Sequence, residues 1–453
     1  MALLLPNSLF IHIPKTGGTW VRRAIEKSMG LEKDSSEIVL PLEKSWEKLA
    51  HAKAKNIRRY LKGEFIDKFS FSFVRQPLDW LKSSYIDSVY PEFIDYDLSN
   101  SIDKKISFKE FVFNKGEGFV SNWYREHLQS YLGLYPCVDY IGKTENLKAD
   151  LIEALELAGE KFDRDIIDSI PPQRQGASIE KNKKLIDVDE DLLSFIKSGE
   201  KEALSLFYSE NSYSNIQKCI YDRLASLWGL EKKHFVVGPF DSHNAWEDYN
   251  LLFDGMFDFH NNTKHLPLAK NLVILDFGCG PGRNLEKYSS NFKRVDGVDI
   301  SYVNLENAAV WLKETNTYNN NLLFKSNGRD LKEIKDSQYD AVMSVIALQH
   351  ICVHDIRQTL FREFYRVIKS GGWVTAQMGY GKGKLGAVSY YKNHYNIGET
   401  NGRTDVYVEN PKQLEEDLSA VGFGNFQYKI RPSGPGDSHP NWIFFRARKQ
   451  VVA

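Results

Sequence analysis

Cysteine is scarce in this sequence and is not spaced as in the common metal-binding motifs. The 453 residues include only four cysteines, and no two of them form a C-x-x-C pair. That spacing excludes the usual zinc clusters, and the low count is typical of chains that fold in a reducing compartment without structural disulfides. The sequence therefore predicts a cytoplasmic protein without a metal site.

The chain also lacks an excess of charge and a long apolar run. Its 59 Lys and Arg residues balance 60 Asp and Glu residues, and no segment is a basic tract, which argues against a nucleic-acid partner. No apolar run reaches the roughly 20 residues of a membrane span, and the opening "MALLLPNSLF" has no basic start and is interrupted by Pro6. We therefore expect neither a membrane span nor a targeting segment.

Two domains are expected from the length of the chain and from one change of pattern. A chain of 453 residues is long enough for two or three hydrophobic cores. Apolar residues recur with helical spacing over residues 191–224, and the stretch "WGLEKKHFVVGPFDSH" then has turn residues without a clear period. The sequence predicts a boundary near Glu231, with domains at residues 1–230 and 231–453.

The stretch "FIHIPKTGGTW" places a glycine pair between an apolar run and an amphipathic helix. Unpaired N–H groups and the positive end of the helix dipole suit an anion at such a turn. Gly17 and Gly18 let the backbone come close, Lys15 adds charge, and the Thr16 and Thr19 hydroxyls can donate. The pattern predicts a phosphate site. Because the lysine precedes the glycines, it differs from the nucleoside-triphosphate loop, and a plain strand-to-helix turn remains the alternative.

This loop and a second block, "FSFVRQPLDWLKSSY", resemble the cofactor segments of sulfotransferases that use 3′-phosphoadenosine 5′-phosphosulfate (PAPS), in particular carbohydrate enzymes related to the heparan-sulfate 2-O group. The family more often has Asn and Arg where this chain has Gln76 and Trp80. The resemblance implies a PAPS site whose phosphosulfate loop and 3′-phosphate segment comprise Lys15, Thr16, Gly17, Gly18, Thr19, Trp20, Arg75 and Ser83.

Two catalytic residues of the first domain are implied by the same resemblance. The segment "LAHAKAKNIRRYL" is similar to the family's His-containing helix, which makes His51 the candidate base for the acceptor hydroxyl, since imidazole titrates near neutral pH. A solvated surface histidine is the alternative. Lys15 would stabilise the charge that develops on the leaving phosphate.

A second glycine-rich turn, "NLVILDFGCGPGRN", follows an apolar run in the second half. It reads D-x-G-x-G-x-G, but Arg283 stands where a dinucleotide fingerprint needs its third glycine. The stretch resembles motif I of class I methyltransferases that use S-adenosylmethionine (SAM). The next run, "RVDGVDIS", ends in Asp299, 23 residues after Asp276, where a carboxylate can accept both ribose hydroxyls.

Two later blocks, "SNGRDLKEIKDSQYDAVMSVIALQHI" and "FYRVIKSGGWVTAQMG", resemble the adenine loop and the following strands of that family. The family often has Asp where this chain has Asn327. The resemblance implies a SAM site that comprises Asp276, Gly278, Cys279, Gly280, Asp299, Ile300, Asn327, Gly328, Arg329 and Val345.

His350 directly follows the predicted fourth strand and is the candidate base for a hydroxyl acceptor. A packing or capping role is the alternative. His350 and His354 have the spacing of an H-x-x-x-H metal pair, but the Glu of H-E-x-x-H is absent. The segment after strand five, rich in Gly, Tyr and Asn, could be a flexible cover with Tyr390, Tyr391, His394 and Tyr395 facing a polar acceptor, or a plain exposed loop.

The two resemblances together imply an α/β protein of two domains: an N-terminal P-loop-like sulfotransferase fold with a parallel sheet, and a C-terminal Rossmann-like class I methyltransferase fold. The expected function is a bifunctional transferase that moves a sulfuryl group from PAPS and a methyl group from SAM to hydroxyls of one glycan or small-molecule acceptor. The alternatives are a scaffold in which one half is inactive, and a P-loop kinase fused to a methyltransferase. The pattern carries no signal for an oligomeric state.

Overall fold

The structure, a computed structural model, describes the chain in thirteen ranges. These are residues 2–31, 68–89, 106–129, 135–136, 138–171, 186–210, 212–228, 250–262, 265–317, 321–382, 388–392, 405–434 and 439–450. Backbone contacts divide the chain into an N-terminal unit that ends at Tyr213 and a C-terminal unit that begins at Ser214. Each unit has its own sheet.

The sheet of the N-terminal unit has four strands, in the order in which they follow along the chain. They are β1 (Ala2–Leu4), β2 (Ser8–Ile11), β3 (Phe69–Val74) and β4 (Tyr140–Lys143). β1 runs antiparallel to β2, whereas β2, β3 and β4 run parallel to one another. The buried rings of Phe10, Phe71 and Phe73 pack together. Parallel strands are covered on both faces, which explains the continuous apolar run at β2.

Helices follow each parallel strand of this unit. In the described ranges they are α1 (Gly18–Ser28), α2 (Pro77–Val89), α3 (Phe108–Lys115), α4 (Phe119–Leu128), α5 (Leu147–Leu157), α6 (Arg164–Ser169), α7 (Glu190–Gly199) and α8 (Lys201–Phe207). Ser107 closes a capping box with Glu110 at the start of α3, and Asp189 accepts the Leu192 amide at the start of α7. Such side chains satisfy N–H groups that the first helical turn leaves unpaired.

One long helix, α9 (Ser212–Trp228), crosses the division between the units. From Ser214 onward it belongs with the C-terminal unit. The Asp222 carboxylate accepts a hydrogen bond from the Ser301 hydroxyl at 2.7 Å, and the Ala225 carbonyl accepts one from the Asn307 side-chain amide at 3.3 Å. Glu231, the predicted boundary, lies outside the described residues. The domain limits 1–230 and 231–453 therefore stay a prediction, and they would separate α9 from the residues it contacts.

The C-terminal unit contains a seven-stranded sheet and a separate parallel pair. The sheet consists of β5 (Val273–Phe277), β6 (Arg294–Asp299), β7 (Leu323–Lys325), β8 (Tyr339–Val345), β9 (Ile368–Tyr380), β12 (Phe423–Pro432) and β13 (Asn441–Lys449); the pair is β10 (Val388–Tyr390) with β11 (Asp405–Tyr407). The strand order is β12-β13-β9-β8-β5-β6-β7, and β13 alone runs antiparallel to both of its neighbours.

The winding of this sheet reverses between β5 and β8. The chain adds β6 and β7 on one side of β5 and then crosses to β8 and β9 on the other. In open α/β sheets, ligands bind in the crevice beyond the carboxyl ends of the strands at such a switch point. The segments after Phe277 and after Val345 therefore border the expected site.

The helices of the C-terminal unit alternate with its strands. They are α10 (Asn250–Phe253), α11 (Arg283–Tyr288), α12 (Tyr302–Glu314), α13 (His354–Val367) and α14 (Pro411–Ala420). The buried rings of Phe253, Tyr288 and Phe292 meet edge to face, in the same core as Ile274 of β5 and Val295 of β6. This core packs against β5 and β6 near the amino ends of both strands.

The predicted α/β class with parallel sheets is confirmed in both units. The specific sulfotransferase fold of the N-terminal unit stays a prediction. Within the described ranges, no helix combines the length and apolar character needed to cross a bilayer.

Candidate functional sites

The turn between β2 and α1 is held in a tight backbone conformation. Lys15 has a φ of 68° and Gly17 a φ of 80°, in the left-handed region, and α1 begins directly afterwards at Gly18. A side chain at Gly18 has no room, because its Cβ would lie 1.8 Å from the His12 ring. The positive φ at Gly17 and the lack of space at Gly18 explain the glycine pair. The predicted phosphate ligands of this turn lie at the start of the helix.

Side-chain hydrogen bonds from two residues fix this turn. The buried Thr16 hydroxyl donates to the Ile13 carbonyl at 2.7 Å, and the Trp80 indole donates to the Pro14 carbonyl at 2.8 Å. The Trp20 indole, on the first turn of α1, donates instead to the Pro171 carbonyl at 2.9 Å. The Thr16 hydroxyl therefore serves the loop itself, while Thr19 is exposed on the first turn of α1. Trp80, which departs from the sulfotransferase pattern, anchors the loop.

Arg75 reaches the same turn from the end of β3. Its guanidinium Nη1 donates to the Lys15 carbonyl at 3.4 Å. Its backbone is held on both sides by Tyr124, whose hydroxyl accepts from the Arg75 amide at 3.0 Å and donates to the Arg75 carbonyl at 2.5 Å. The next amide, of Gln76, donates to Glu145 at 2.9 Å. The two predicted phosphate segments therefore lie together at the carboxyl ends of adjacent parallel strands.

The Lys15 ammonium is ion-paired with Asp87 of α2. Burial, followed by the neighbouring Arg75 guanidinium, lowers the pKa of Lys15 to about 8, whereas the Asp87 carboxylate acts in the opposite direction by favouring the charged form. Lys15 is cationic at pH 7 in either case. Ser83 lies one helical turn before Asp87 and so shares its face of α2. His51 lies outside the described residues.

The second glycine-rich turn connects β5 to α11 at the switch point. Gly278 has a φ of 74°, and a Cβ there would lie 2.3 Å from the Cβ of Ala347, in the segment after β8. Gly280 also has a positive φ, of 52°. The Cys279 thiol between them is buried, and this burial raises its pKa well above the ordinary value. The turn therefore passes directly beside the segment that leads to His350.

Asp276, at the carboxyl end of β5, is a fully buried carboxylate. Neither of its oxygens has a hydrogen-bond partner among the described residues. Burial raises its pKa to about 7; the neighbouring Asn284 amide opposes this rise without reaching hydrogen-bond geometry. A buried acceptor without a partner is unfavourable, so this side chain fits a ligand that brings a positive charge or donors.

Asp299, at the end of β6, faces the same turn. Its carboxylate accepts from the Gly280 amide at 2.9 Å, the Ser301 amide at 2.8 Å and the Asn304 side chain at 3.4 Å. Burial raises the pKa of Asp299, and these donors oppose that rise. A carboxylate offers about four lone-pair sites, so about one site, on Oδ2, is left for a further hydroxyl beside the loop.

The segment predicted to contact adenine forms a compact turn. Asn327 accepts with its side-chain oxygen from the amides of Arg329 and Asp330, at 2.8 and 2.9 Å. Gly328 packs closely against Ile300 and against Ser214 of α9, because a Cβ there would lie 2.6 and 3.2 Å from their side chains. The oxygen of Asn327 is thus used within the turn. Val345 ends β8 and is buried.

His350 is paired with a carboxylate that sequence reasoning missed. Its Nδ1 contacts Oδ1 of Asp405, the first residue of β11. The second oxygen of Asp405 accepts from His439 Nε2 at 2.9 Å and from the Gln349 side chain at 3.2 Å. Burial acts to raise the pKa of Asp405, but His350 and then His439 outweigh it and hold the pKa far below the usual range. Asp405 is therefore an anion at physiological pH.

His354 belongs to a different cluster. Its Nε2 lies 2.9 Å from Asp417, and the Tyr391 hydroxyl donates to the same carboxylate at 2.6 Å. His350 and His354 thus face different carboxylates, and the described residues contain no cluster of three metal-ligating side chains. Tyr391 is fully buried beneath the Arg357 guanidinium, so the expectation that it faces an acceptor is wrong. A tyrosine ring whose hydroxyl already has a hydrogen-bond partner contributes more to stability when it is buried in the core than when it is exposed in a loop.

Comparison with known proteins identifies the C-terminal region. Residues 274–372 match the sequence model of a family described as a methyltransferase domain. The match includes the turn after β5 and lies wholly within the C-terminal unit. The chain therefore contains a methyltransferase domain with a Rossmann-like α/β fold. This match does not include the N-terminal unit and gives no support to the predicted sulfotransferase domain there. No curated protein matches the chain in a sequence comparison.

Solved structures similar to this chain include three methyltransferases. A SAM-dependent methyltransferase from Methanosarcina mazei is 21% identical, with a TM-score of 0.32, over 40% of this chain and 94% of that one. Phosphoethanolamine N-methyltransferase 2 from Haemonchus contortus, solved with SAM, is 19% identical, with a TM-score of 0.36, over 55% and 59%. A SAM-dependent methyltransferase from Aquifex aeolicus is 15% identical, with a TM-score of 0.30, over 45% and 93%.

The isolated carboxylate of Asp276 predicts a pH-dependent stability. Its folded pKa of about 7 lies above the unfolded value of about 3.9, so the cofactor-free protein loses stability as the pH rises from the lower value to the higher, by about 2 to 3 kcal/mol between pH 5 and pH 8. Asp276→Asn removes this loss. We expect the variant to raise the Tm of the C-terminal unit by roughly 5–10 °C more at pH 8 than at pH 5, as measured by scanning calorimetry.

Asp296→Asn is the matched control for this experiment. Asp296 is also fully buried, but it accepts from the Tyr339 hydroxyl and the Leu322 amide, so its replacement lowers the Tm at both pH values. A Tm shift of Asp276→Asn that is equal at pH 5 and pH 8 would contradict the prediction.

Proposed function

We propose that the C-terminal unit transfers a methyl group from SAM to a hydroxyl oxygen. The observation that carries this proposal is the His350–Asp405 pair, placed just beyond β8, where Ala347 of the same segment contacts the glycine turn. A base held by a carboxylate beside a cofactor loop has the composition that a hydroxyl acceptor requires. The methyltransferase family match supports the reaction class.

The buried carboxylates fit SAM as the donor. SAM carries a sulfonium and an ammonium group, and Asp276 lacks any partner for its two oxygens among the described residues. The ribose of SAM brings hydroxyl donors, and Asp299 can accept one of them with the lone pair of Oδ2 that the Gly280 amide leaves unused. The turn of residues 327–329 would lie at the adenine end, with Val345 on the other side of the cofactor.

The chain's own residues would align the acceptor and remove its proton. When bound, SAM supplies a methyl carbon on a positively charged sulfur, so the transfer needs alignment more than activation of the donor. His350 would orient the acceptor hydroxyl and take its proton at Nε2. Asp405 stabilises the imidazolium that results.

For the N-terminal unit we propose sulfuryl transfer from PAPS. The support is the convergence of the Lys15 turn and Arg75 at the ends of β2 and β3, with Ser83 on the face of α2 that contacts Lys15. Backbone amides at the start of α1 and the Lys15 ammonium suit the phosphosulfate, and the Arg75 fork suits the 3′-phosphate. A bound phosphosulfate would replace Asp87 as the partner of Lys15. His51 remains the proposed base.

Both units are proposed to act on one acceptor, a glycan or a hydroxylated small molecule. A tether raises the effective concentration of the second site for the first product only when the substrate is shared. The full chain, incubated with PAPS, SAM and a panel of such acceptors, should produce a compound that gains both groups, as mass spectrometry would show. Products modified by one group only, on unrelated acceptors, would contradict the shared substrate. If one half bound its nucleotide without turning it over, the result would favour the scaffold with one inactive half. If the chain used ATP in a magnesium-dependent reaction, the result would favour a kinase fused to a methyltransferase.

The assignment of Asp299 predicts a selective loss of SAM binding. Asp299→Ala removes the proposed acceptor of a ribose hydroxyl and should weaken SAM by about 10- to 100-fold, with unchanged PAPS affinity, in calorimetric titrations of both cofactors. Glu306→Ala, an exposed carboxylate on α12, is the control and should leave SAM affinity unchanged. Equal loss of both cofactors from Asp299→Ala would indicate unfolding rather than a binding role.

The assignment of Lys15 predicts the reverse pattern. Lys15→Ala removes the charge that would stabilise the leaving phosphate and should lower sulfuryl transfer by about 10²- to 10³-fold, while methylation continues at the rate of the unaltered protein. Lys27→Ala, an exposed lysine on the last turn of α1, should change neither rate. Normal sulfation by Lys15→Ala would remove Lys15 from the site, whereas a chain that sulfates no acceptor would refute the sulfotransferase proposal itself.

A further inference from the structure

The His350 imidazole is one end of a buried polar network that continues through two further elements. Asp405 of β11 lies between His350 and His439, with a different carboxylate oxygen toward each ring. The side chain of Asp405 is 5% exposed and that of His439 is completely buried, whereas that of His350 is 20% exposed. Only the His350 end of this row is therefore accessible to a substrate.

We propose that Asp405 and His439 are positioning residues for methyl transfer, which hold the His350 imidazole in the tautomer whose lone pair is on Nε2. This inference rests on the methyl transfer proposed above. At the contact between His350 Nδ1 and Asp405 Oδ1, the nitrogen must carry the proton, because a lone pair there would face the lone pairs of an anion. The lone pair of the ring is then on Nε2, the nitrogen that has the proposed role of base.

His439 fixes the carboxylate rather than the substrate. Its Nε2 lies 2.9 Å from Asp405 Oδ2, so it donates to the oxygen that His350 does not use. Its ring fits flat against the backbone of β9, where a Cβ on Gly379 would lie 2.4 Å from it. His439 and Gln349 anchor Asp405 on Oδ2 while its Oδ1 lies against His350, and this is what a positioning role requires.

Gln349 ties the network to the sheet. Its side-chain nitrogen donates to Asp405 Oδ2 at 3.2 Å, and its oxygen accepts from the Gly379 amide at 2.9 Å. The groups that face His350 in the contacts of the described residues are Asp405 and the ring of Tyr221, 6.1 Å away between centroids. Tyr221 is unchanged in every variant below, so it does not alter the comparison among them.

The tautomer of His350 can be measured directly on the full chain. Histidine labelled with nitrogen-15 gives two-bond proton–nitrogen correlations that distinguish a protonated Nδ1 from a protonated Nε2, and a His350→Gln variant assigns the signal. We expect the unaltered protein to show the proton on Nδ1. Asp405→Asn should abolish the predominance of this tautomer and lower the titration midpoint of His350 by about one pH unit, because the neighbouring negative charge is lost.

The matched pair at His439 tests its role as a donor. His439→Phe keeps a ring beside Gly379 but cannot donate, and should convert His350 to a mixture of tautomers. His439→Gln keeps an N–H and should restore the tautomer of the unaltered protein. The His354 signal is the internal control, since that ring is bound to Asp417 and should be the same in all three variants.

An unchanged His350 tautomer in His439→Phe would overturn the role of His439, and an unchanged tautomer in Asp405→Asn would overturn the whole proposal. If His439→Phe loses the His354 signal because it does not fold, Asp405→Asn decides alone. SAM titration by calorimetry separates this result from the proposed function. The folded variants should bind SAM within about threefold of the unaltered protein, which corresponds to less than 1 kcal/mol. Failure of the unaltered protein to bind SAM would refute the function instead.

Discussion

The burial of carboxylates at one edge of the C-terminal sheet is the constraint on which this half of the structure depends. Asp276, Asp299 and Asp405 are all withdrawn from water, and an anion without partners is strongly unfavourable in such surroundings. The protein meets this demand differently at each position. Asp405 receives two imidazoles and an amide, and Asp299 receives two backbone amides and the Asn304 side chain, but Asp276 receives no hydrogen bond from the described residues.

The number of hydrogen bonds that each carboxylate receives from the protein distinguishes a structural role from a binding role. A carboxylate that protein donors hold in place is a fixed part of the scaffold, as Asp405 is beside His350, with His439 and Gln349 on its Oδ2. A carboxylate that it leaves unsatisfied raises the free energy of the ligand-free state, and a cationic ligand relieves that strain when it binds. The unfavourable burial of Asp276 would then contribute to the free energy of binding of such a ligand, which offers a reason for its effect on stability.

Local chemistry could be predicted from the sequence, whereas partners distant along the chain could not. Both glycine turns, the strand before each of them and the acidic residue at Asp299 depend on short segments whose spacing is visible. Asp405 is 55 residues from His350 and reaches it only through the fold that brings β11 beside the end of β8. No local pattern marks His439 either. The hydroxyl of Thr16 and the ring of Tyr391 are turned inward by neighbouring carbonyl and carboxylate acceptors, which a residue type alone does not reveal.

The two units share one backbone arrangement, a strand, a glycine turn and a helix, but the side chains beside it carry opposite charges. Each has a parallel strand, a turn containing glycine and a helix, and the N-terminus of a helix favours an anion in both cases. In the N-terminal unit Lys15 and Arg75 add to that field, so the turn is suited to phosphate groups. In the C-terminal unit Asp276 and Asp299 lie at the carboxyl ends of the corresponding strands, and a carboxylate at these positions opposes the partial positive charge of the short helix α11. The side chains at the strand ends, not the shared turn, therefore give the two turns opposite electrostatic character.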